Sequence, residues 1–162
     1  MNDIASARLA EERKKWRKDH PPEFVAKCEK KADGSLDYSH WSCEIPGPVD
    51  SDWEKGIYKM TMDFTRNEYP THPPKCVMAK VDGTPFYHMN VYDDGEICLD
   101  IIGSNWRPGI TIKEILMGIQ TMLIDPNPNS PAQPAVMVEW KEDRTKYSRK
   151  VRQQAAKCIP DV

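Results

Sequence analysis

The segment GIYKMTMDF, residues 56–64, sets apolar Tyr58, Met60, Met62 and Phe64 against Lys59, Thr61 and Asp63 in strict alternation. A period of two sends successive side chains to opposite faces, so this stretch predicts a strand with one buried face. One-sided burial is the mark of antiparallel sheets, since parallel strands are buried on both faces. Upstream, Trp41, Cys43 and Ile45 alternate with His40, Ser42 and Glu44, and Asp33-Gly34 supplies a hairpin turn before them. The spacing therefore predicts a β-meander with Cys43 in its core.

Such a sheet needs a cover for its apolar face, and TIKEILMGIQTMLID provides one. Ile112, Ile115, Leu116, Ile119 and Leu123 recur at helical spacing, Thr111 and Glu114 form a capping box, and Pro126 marks the end. At the start of the chain, ASARLAEERKKWRKDHPP predicts a helix stopped by Pro21 and Pro22. Its apolar stripe, Ile4, Ala5, Leu9 and Trp16, is thin, and Arg8, Arg13, Lys14, Arg17 and Lys18 form a broad basic face. That face reads equally as solvated surface or as a docking surface. Between residues 69 and 92 prolines recur, which suits an edge strand at Cys76–Met78 followed by a long irregular crossing. Residues 132–158 predict two further helices with Trp140, Tyr147 and Val151 as packing positions. The order gives an α+β fold, helices on one face of a meander, in a single domain covering residues 1–162.

Composition narrows the function classes. A net charge of −2 offers no global field for nucleic acid, so any charge-based function is local. No run approaches the roughly 18 apolar residues of a membrane span, and the first residues lack a signal-peptide core, so a soluble intracellular protein is expected. Five cysteines without a C-x-x-C pair suggest reduced thiols rather than a disulfide framework or zinc site.

Of these thiols Cys98 has the most unusual setting, HMNVYDDGEICLDII. A metal site would need three or four convergent ligands, and His88 with the neighbouring carboxylates lacks such spacing. A Cys–His hydrolase would need an imidazole nearby, yet Asp93, Asp94, Glu96 and Asp100 dominate the neighbourhood. Two readings survive on the residues alone: a small buried hydrophobe, or a carrier of an acyl group already activated as a thioester, for which positioning matters more than a strong base.

The run PPKC at 73–76, the His-x-Asn turn at 88–90, Gly95-x-Ile97-Cys98-Leu99 and Trp106-x-Pro108 together resemble the ubiquitin-conjugating enzyme superfamily. RLAEERKKWRKDHP, DGSLDYSHWSCEIPG, NWRPGITIKEILMGIQTML, PNPNSPAQ and KVRQQAAKCIP are most similar to its SUMO-conjugating branch. The resemblance implies a ubiquitin-conjugating-enzyme fold: an N-terminal helix, a four-stranded antiparallel meander, a central helix and two C-terminal helices. It implies that Cys98 accepts a SUMO-like modifier as a thioester from an activating enzyme and passes it to substrate lysines, with ligases assisting. It carries over an oxyanion-stabilising and loop-shaping role to Asn90, a lysine-channel wall to Tyr92 and amine orientation to Ser130, with His88 as a structural hydrogen-bonder. Arg13, Lys14, Arg17, Lys18 and His20 inherit binding of the modifier and its activating enzyme. Lys75, Asp94, Glu96 and Gln133 inherit contact with the substrate motif, hydrophobic-Lys-x-Glu. ATP would be used by the activating enzyme, so no cofactor or metal is expected on this chain, which would be a monomer of nucleus and cytoplasm without nucleic-acid or membrane partners.

The sequence also departs from that pattern. Met89 replaces the proline of the His-Pro-Asn motif, removing the residue that would fix the turn's φ. About four extra residues stand between Cys76 and His88, in AKVDGTPFY, and are expected to reshape the approach to the site. LDIIGSN is shorter than the acidic loop of the SUMO branch and similar to ubiquitin-branch enzymes, which leaves a ubiquitin-conjugating enzyme as an alternative, while the missing proline and Ser130, where many relatives carry an aspartate, leave a catalytically weak adaptor as another. Asp94 and Glu96 replace small hydroxyl residues, and two added carboxylates are expected to weaken preference for an acidic motif residue.

Overall fold

The computed structural model describes residues 1–161. Helix α1 (Asp3–Lys18) is followed by strands β1 (Val25–Lys30), β2 (Leu36–Pro46), β3 (Ile57–Asp63) and β4 (Lys75–Met78), then helices α2 (Ile112–Ile124), α3 (Pro134–Glu142) and α4 (Arg144–Lys157). The strands form one antiparallel sheet in chain order. The period-two pattern holds: Trp41, Cys43 and Ile45 on β2 and Tyr58, Met60 and Met62 on β3 are all buried.

Two helices lie on β2. α2 contributes Ile112, Ile115, Leu116, Ile119 and Leu123 as the spacing predicts, with Met122 added, and the Thr111 side chain accepts from the Glu114 N–H. α1 buries Ala5, Leu9 and Trp16, but Ile4 is exposed and Glu12 takes the remaining place in the buried row. A helix row advances by three or four residues, and 5, 9, 12 and 16 fit it where 4 does not. The helix stops at Lys18, before the prolines, where the Asp19 N–H returns to the Lys15 carbonyl.

Two regions differ from the sequence reading. The crossing after β4 is irregular for most of its length but includes one tight hairpin: Val81 and Thr84 exchange two 2.9 Å backbone hydrogen bonds around Asp82 and Gly83, whose φ values of 49° and 73° make the turn that Asp-Gly favours. This small hairpin lies against α4, with Lys157 Nζ 3.9 Å from the Asp82 carboxylate, so the extra residues extend the helical end of the molecule. α3 and α4 pack on each other rather than across the sheet face. Gln154 fixes α4 to the chain at residue 87, accepting from the Tyr87 N–H (2.8 Å) and donating to its carbonyl (3.3 Å). Tyr147 and Val151 are buried there, whereas Trp140 is half-buried beneath the Arg144 guanidinium, 4.2 Å from its ring.

Candidate active site

Past β4 the chain folds back as a second short hairpin, residues 90–98, docked on the free edge of the sheet. Cys98 N–H donates to the Asn90 carbonyl (2.8 Å) and Tyr92 N–H to the Glu96 carbonyl (2.9 Å), while the Gly95 N–H closes the turn on the Tyr92 carbonyl (2.8 Å). Met78 N–H donates to Gly95 (2.7 Å) and Ile97 N–H to Cys76 (2.9 Å), tying the hairpin to β4. Gly95 has φ +92°, and a Cβ there would stand 2.3 Å from the Met78 carbonyl oxygen, so only glycine permits this docking. Alternation then buries Val91 and Ile97 and turns Glu96 and Cys98 to the other side, both half-buried.

The entry to the hairpin is held by buried polar groups. His88 is fully enclosed; its Nδ1 accepts the Asn90 N–H (3.0 Å), which leaves Nε2–H to donate to the Met122 carbonyl (2.8 Å). Burial pulls its pKa down to about 4, so the ring is a neutral brace joining the site to α2, with no free nitrogen for acid–base work. Met89 occupies an apolar slot, and its carbonyl receives the N–H groups of Ala132 (2.6 Å) and Gln133 (3.1 Å). Those two bonds anchor the residue-89 carbonyl, a restraint separate from the φ that a proline would fix.

Asn90 is 1% exposed. Its Nδ2 donates to the carbonyls of Asn127 (2.8 Å) and Ser130 (3.0 Å), and its Oδ1 accepts from Asn127 N–H (2.8 Å). Both amide hydrogens are thus committed to the 127–130 loop, and donation to an oxyanion requires one of these bonds to open. Gln133 has a similar bracing part, its Nε2 lying 2.6, 3.2 and 2.7 Å from the carbonyls of Phe86, His88 and Val91. The substrate-contact role expected of Gln133 therefore falls on a side chain whose amide N–H groups already hold the loop.

The outer turn is exposed and charged. Tyr92 is 47% exposed, and Asp94 folds back to accept the Glu96 N–H (2.9 Å). Glu96 makes a two-oxygen ion pair with Arg66, from the loop between β3 and β4. The expectation that two added carboxylates repel an acidic motif residue is corrected here: Arg66 offsets the charge of Glu96 and leaves Asp94 as the added one. Lys75, at the start of β4 opposite Asp63, stands on the same sheet edge. Sequence reasoning missed Arg66, thirty residues from its partner, and Asn127, whose place in a proline-punctuated loop gave only a turn signal.

The basic residues of α1, with His20 just past its end, form a separate surface. Lys14, Arg17, Lys18 and His20 are exposed and Arg13 half-buried. Arg13, Trp16, Arg17 and His20 border a groove of about 450 Å³ between α1 and β1, where the His20 ring stacks on Trp16 at 5.3 Å. It shares no residue with the hairpin that carries Cys98.

Chemically, the hairpin offers a partly exposed thiol at its end and an aromatic side chain at its turn, and the neighbouring imidazole, His88, has both ring nitrogens engaged with the backbone. Among the described residues no three His, Cys, Asp or Glu side chains converge as metal ligands would. Such a thiol suits transfer of an activated acyl group. The model of the family described as ubiquitin-conjugating enzyme matches residues 8–155. The chain is 45% identical over 157 residues to the Sumo-conjugating enzyme ubc9 of Dictyostelium discoideum, covering 96% of each chain. It is 44% identical, over 164 aligned positions, to the SUMO-conjugating enzyme UBC9 of Caenorhabditis elegans, covering all of this chain and 96% of the relative.

Proposed function

This chain belongs to the ubiquitin-conjugating enzyme family, and from that premise we propose that Cys98 carries a SUMO modifier as a thioester and delivers it to substrate lysines. Within the family it is a SUMO-conjugating enzyme, a transferase whose partners are SUMO, its activating enzyme and the substrate proteins. The observation that carries the role of Cys98 is its placement: a half-buried thiol at the end of a hairpin, its N–H on the carbonyl of Asn90, whose side chain and neighbour His88 are locked into the loop and α2 behind.

The thiol of Cys98 takes the acyl group from the activating enzyme's thioester, so one C–S bond forms as another breaks. The neutral lysine amine then attacks the same carbonyl carbon, an amide C–N bond forms, the C–S bond breaks, Cys98 leaves as thiolate and the proton lost by the amine passes to solvent water. Asn90 shapes the surrounding loop, Tyr92 shields the approaching amine from water and Ser130 orients it; desolvation favours the neutral, nucleophilic amine. Arg13, Lys14, Arg17, Lys18 and His20 receive the modifier and the activating enzyme. Lys75 attracts an acidic residue of the substrate motif, opposed by Asp94. The activating enzyme consumes the ATP, and this chain works without a cofactor, as a monomer in nucleus and cytoplasm, with ligases and without nucleic acid.

A second reading, conjugation of ubiquitin, has one observation in its favour. The link after Cys98 is short, a single 3-10 turn at Asp100–Ile102 closed by Gly103 and Asn105 N–H groups on the Asp100 carbonyl. Incubation with each modifier and its own activating enzyme, followed by non-reducing electrophoresis, separates the two. A reductant-sensitive adduct with SUMO, converted by Cys98→Ser to a reductant-resistant oxyester, supports the proposal. An adduct with ubiquitin only, or none with either, overturns it.

A further inference from the structure

One side chain of α1 reaches across a hundred residues of sequence to the segment that follows Cys98. Arg8 donates from Nη1 to the Pro108 carbonyl (2.6 Å) and from Nη2 to the Ile110 carbonyl (3.0 Å). These carbonyls precede the Thr111 cap of α2 and belong to the stretch, residues 99–110, that leads from the thiol to the helix. The other edge of the guanidinium faces Glu12, with Nη2 at 3.2 Å and Nε at 3.4 Å from Oε1.

Glu12 is the anomaly that gives the contact its meaning. Its side chain is 4% exposed and stands in the same buried row as Ala5, Leu9 and Trp16, where an apolar residue would be the default. A carboxylate there is costly unless a cation compensates it, and its geometry holds the planar fork of Arg8 by the Nε–Nη2 edge with the Nη1–Nη2 end towards the two carbonyls. Arg8 also lies 5.7 Å over the Tyr69 ring, which packs 6.2 Å from Trp106, and the Trp106 indole N–H donates to the Pro70 carbonyl (3.0 Å). Inside the segment, Asn105 N–H donates to Asp100 (2.9 Å) and Trp106 N–H to Gly103 (3.1 Å). Restraint applied at residues 106–110 therefore reaches the 3-10 turn that begins at Asp100.

We propose that Arg8, oriented by Glu12, is a positioning residue: it clamps residues 99–110 so that Cys98 presents its acyl carbonyl to the incoming amine in one orientation. The proposal rests on the thioester role of Cys98. It also makes α1 a mechanical partner of the site, because the helix whose Arg13–His20 region meets the groove is the helix that holds the loop.

Removing Arg8 alone would strand the Glu12 carboxylate, so the test uses the paired variant Arg8→Met/Glu12→Gln in the full chain, with Arg8→Lys beside it. The first measurement is single-turnover discharge of the SUMO-loaded protein to free lysine after the activating enzyme is stopped. Discharge at saturating lysine should fall about tenfold in the paired variant, with the charging KM for the activating enzyme within about twofold of the parent. Arg8→Lys, which keeps the charge and loses the fork, should fall between. The second measurement is amide hydrogen exchange, which should quicken at Asn105, Trp106 and Ile110 and stay unchanged along β3. Discharge within about twofold of the parent, unchanged exchange at those three amides, or loosening spread equally through β3 would each overturn the clamp. If the parent fails to load SUMO, the function proposed above fails, and the exchange measurement alone still decides whether Arg8 holds the segment.

Discussion

Between Asn90 and Cys98 the hairpin changes character. Its entry is enclosed and neutral: His88 is held by α2 and the Asn90 N–H, Asn90 by the 127–130 loop, and the Gln133 amide N–H groups by the carbonyls of residues 86, 88 and 91. Its turn, from Tyr92 to Glu96, is exposed and charged, held by an Asx turn and an ion pair with Arg66. Buried hydrogen bonds are expensive to leave unmade, whereas exposed ion pairs contribute little. The entry therefore fixes where Cys98 stands, and the turn can vary its charge with little effect on the fold. Reactivity and substrate choice occupy one hairpin but answer to different physics.

The sharpest way to break that comparison is Asn90→Ala. It strands the Asn127 N–H and the carbonyls of Asn127 and Ser130, for a loss of about 3 kcal/mol or more by denaturant unfolding. Lysine discharge should fall with it as the 127–130 loop loosens. A stability change like that of an exposed substitution, within about 0.5 kcal/mol, would remove the distinction between the two halves.

His88 gives a comparable effect through pH. Its folded pKa of about 4 lies below the ordinary histidine value of 6.5, so the unfolded chain binds a proton that the folded ring refuses. Stability should fall as pH drops from about 6.5 to about 4, by about 3 kcal/mol in all. His40 opposes this weakly: its hydrogen bond to Asp37 raises its pKa, stabilising the fold at low pH, but it is partly exposed. His88→Gln should flatten the slope across that window, and an unchanged slope would assign it elsewhere.

Gly95→Ala tests the joint between the halves. The strained φ and the approach to the Met78 carbonyl should cost about 2 kcal/mol or more and slow thioester formation, measured by thermal unfolding and gel-based charging. The smallest effect belongs to the charged turn. Arg66→Ala should leave stability nearly unchanged and lower modification of Lys-x-Glu relative to Lys-x-Lys peptides by about threefold, as Glu96 loses its counter-charge. Adding Glu96→Gln should restore the ratio. A ratio unmoved by either change would show that the turn does not read the motif.

Much of the fold was legible because burial follows short periods. The alternation at 58–64, the helical spacing at 112–123 and the Thr111 cap each specify an element within a few residues. Asp82-Gly83 carried its hairpin signal as well, but flanking prolines at 73, 74 and 85 obscured it. Cys98 and Asn90 could be marked by their motif, yet whether Asn90 faces the thiol or the 127–130 loop depends on partners nearly forty residues away.

By itself, the sequence determined which faces are apolar, where helices begin and which thiol is set apart, since these depend on neighbours within a turn or a strand. Only the tertiary structure decided that Glu12 replaces Ile4 in the buried row, that the Met89 carbonyl is held by Ala132 and Gln133, that Arg66 compensates Glu96 and that Arg8 grips residues 108 and 110. The reason is reach. A hydrogen bond or ion pair forms wherever folding brings donor and acceptor within about 3 Å, and sequence separation places no limit on which residues those are.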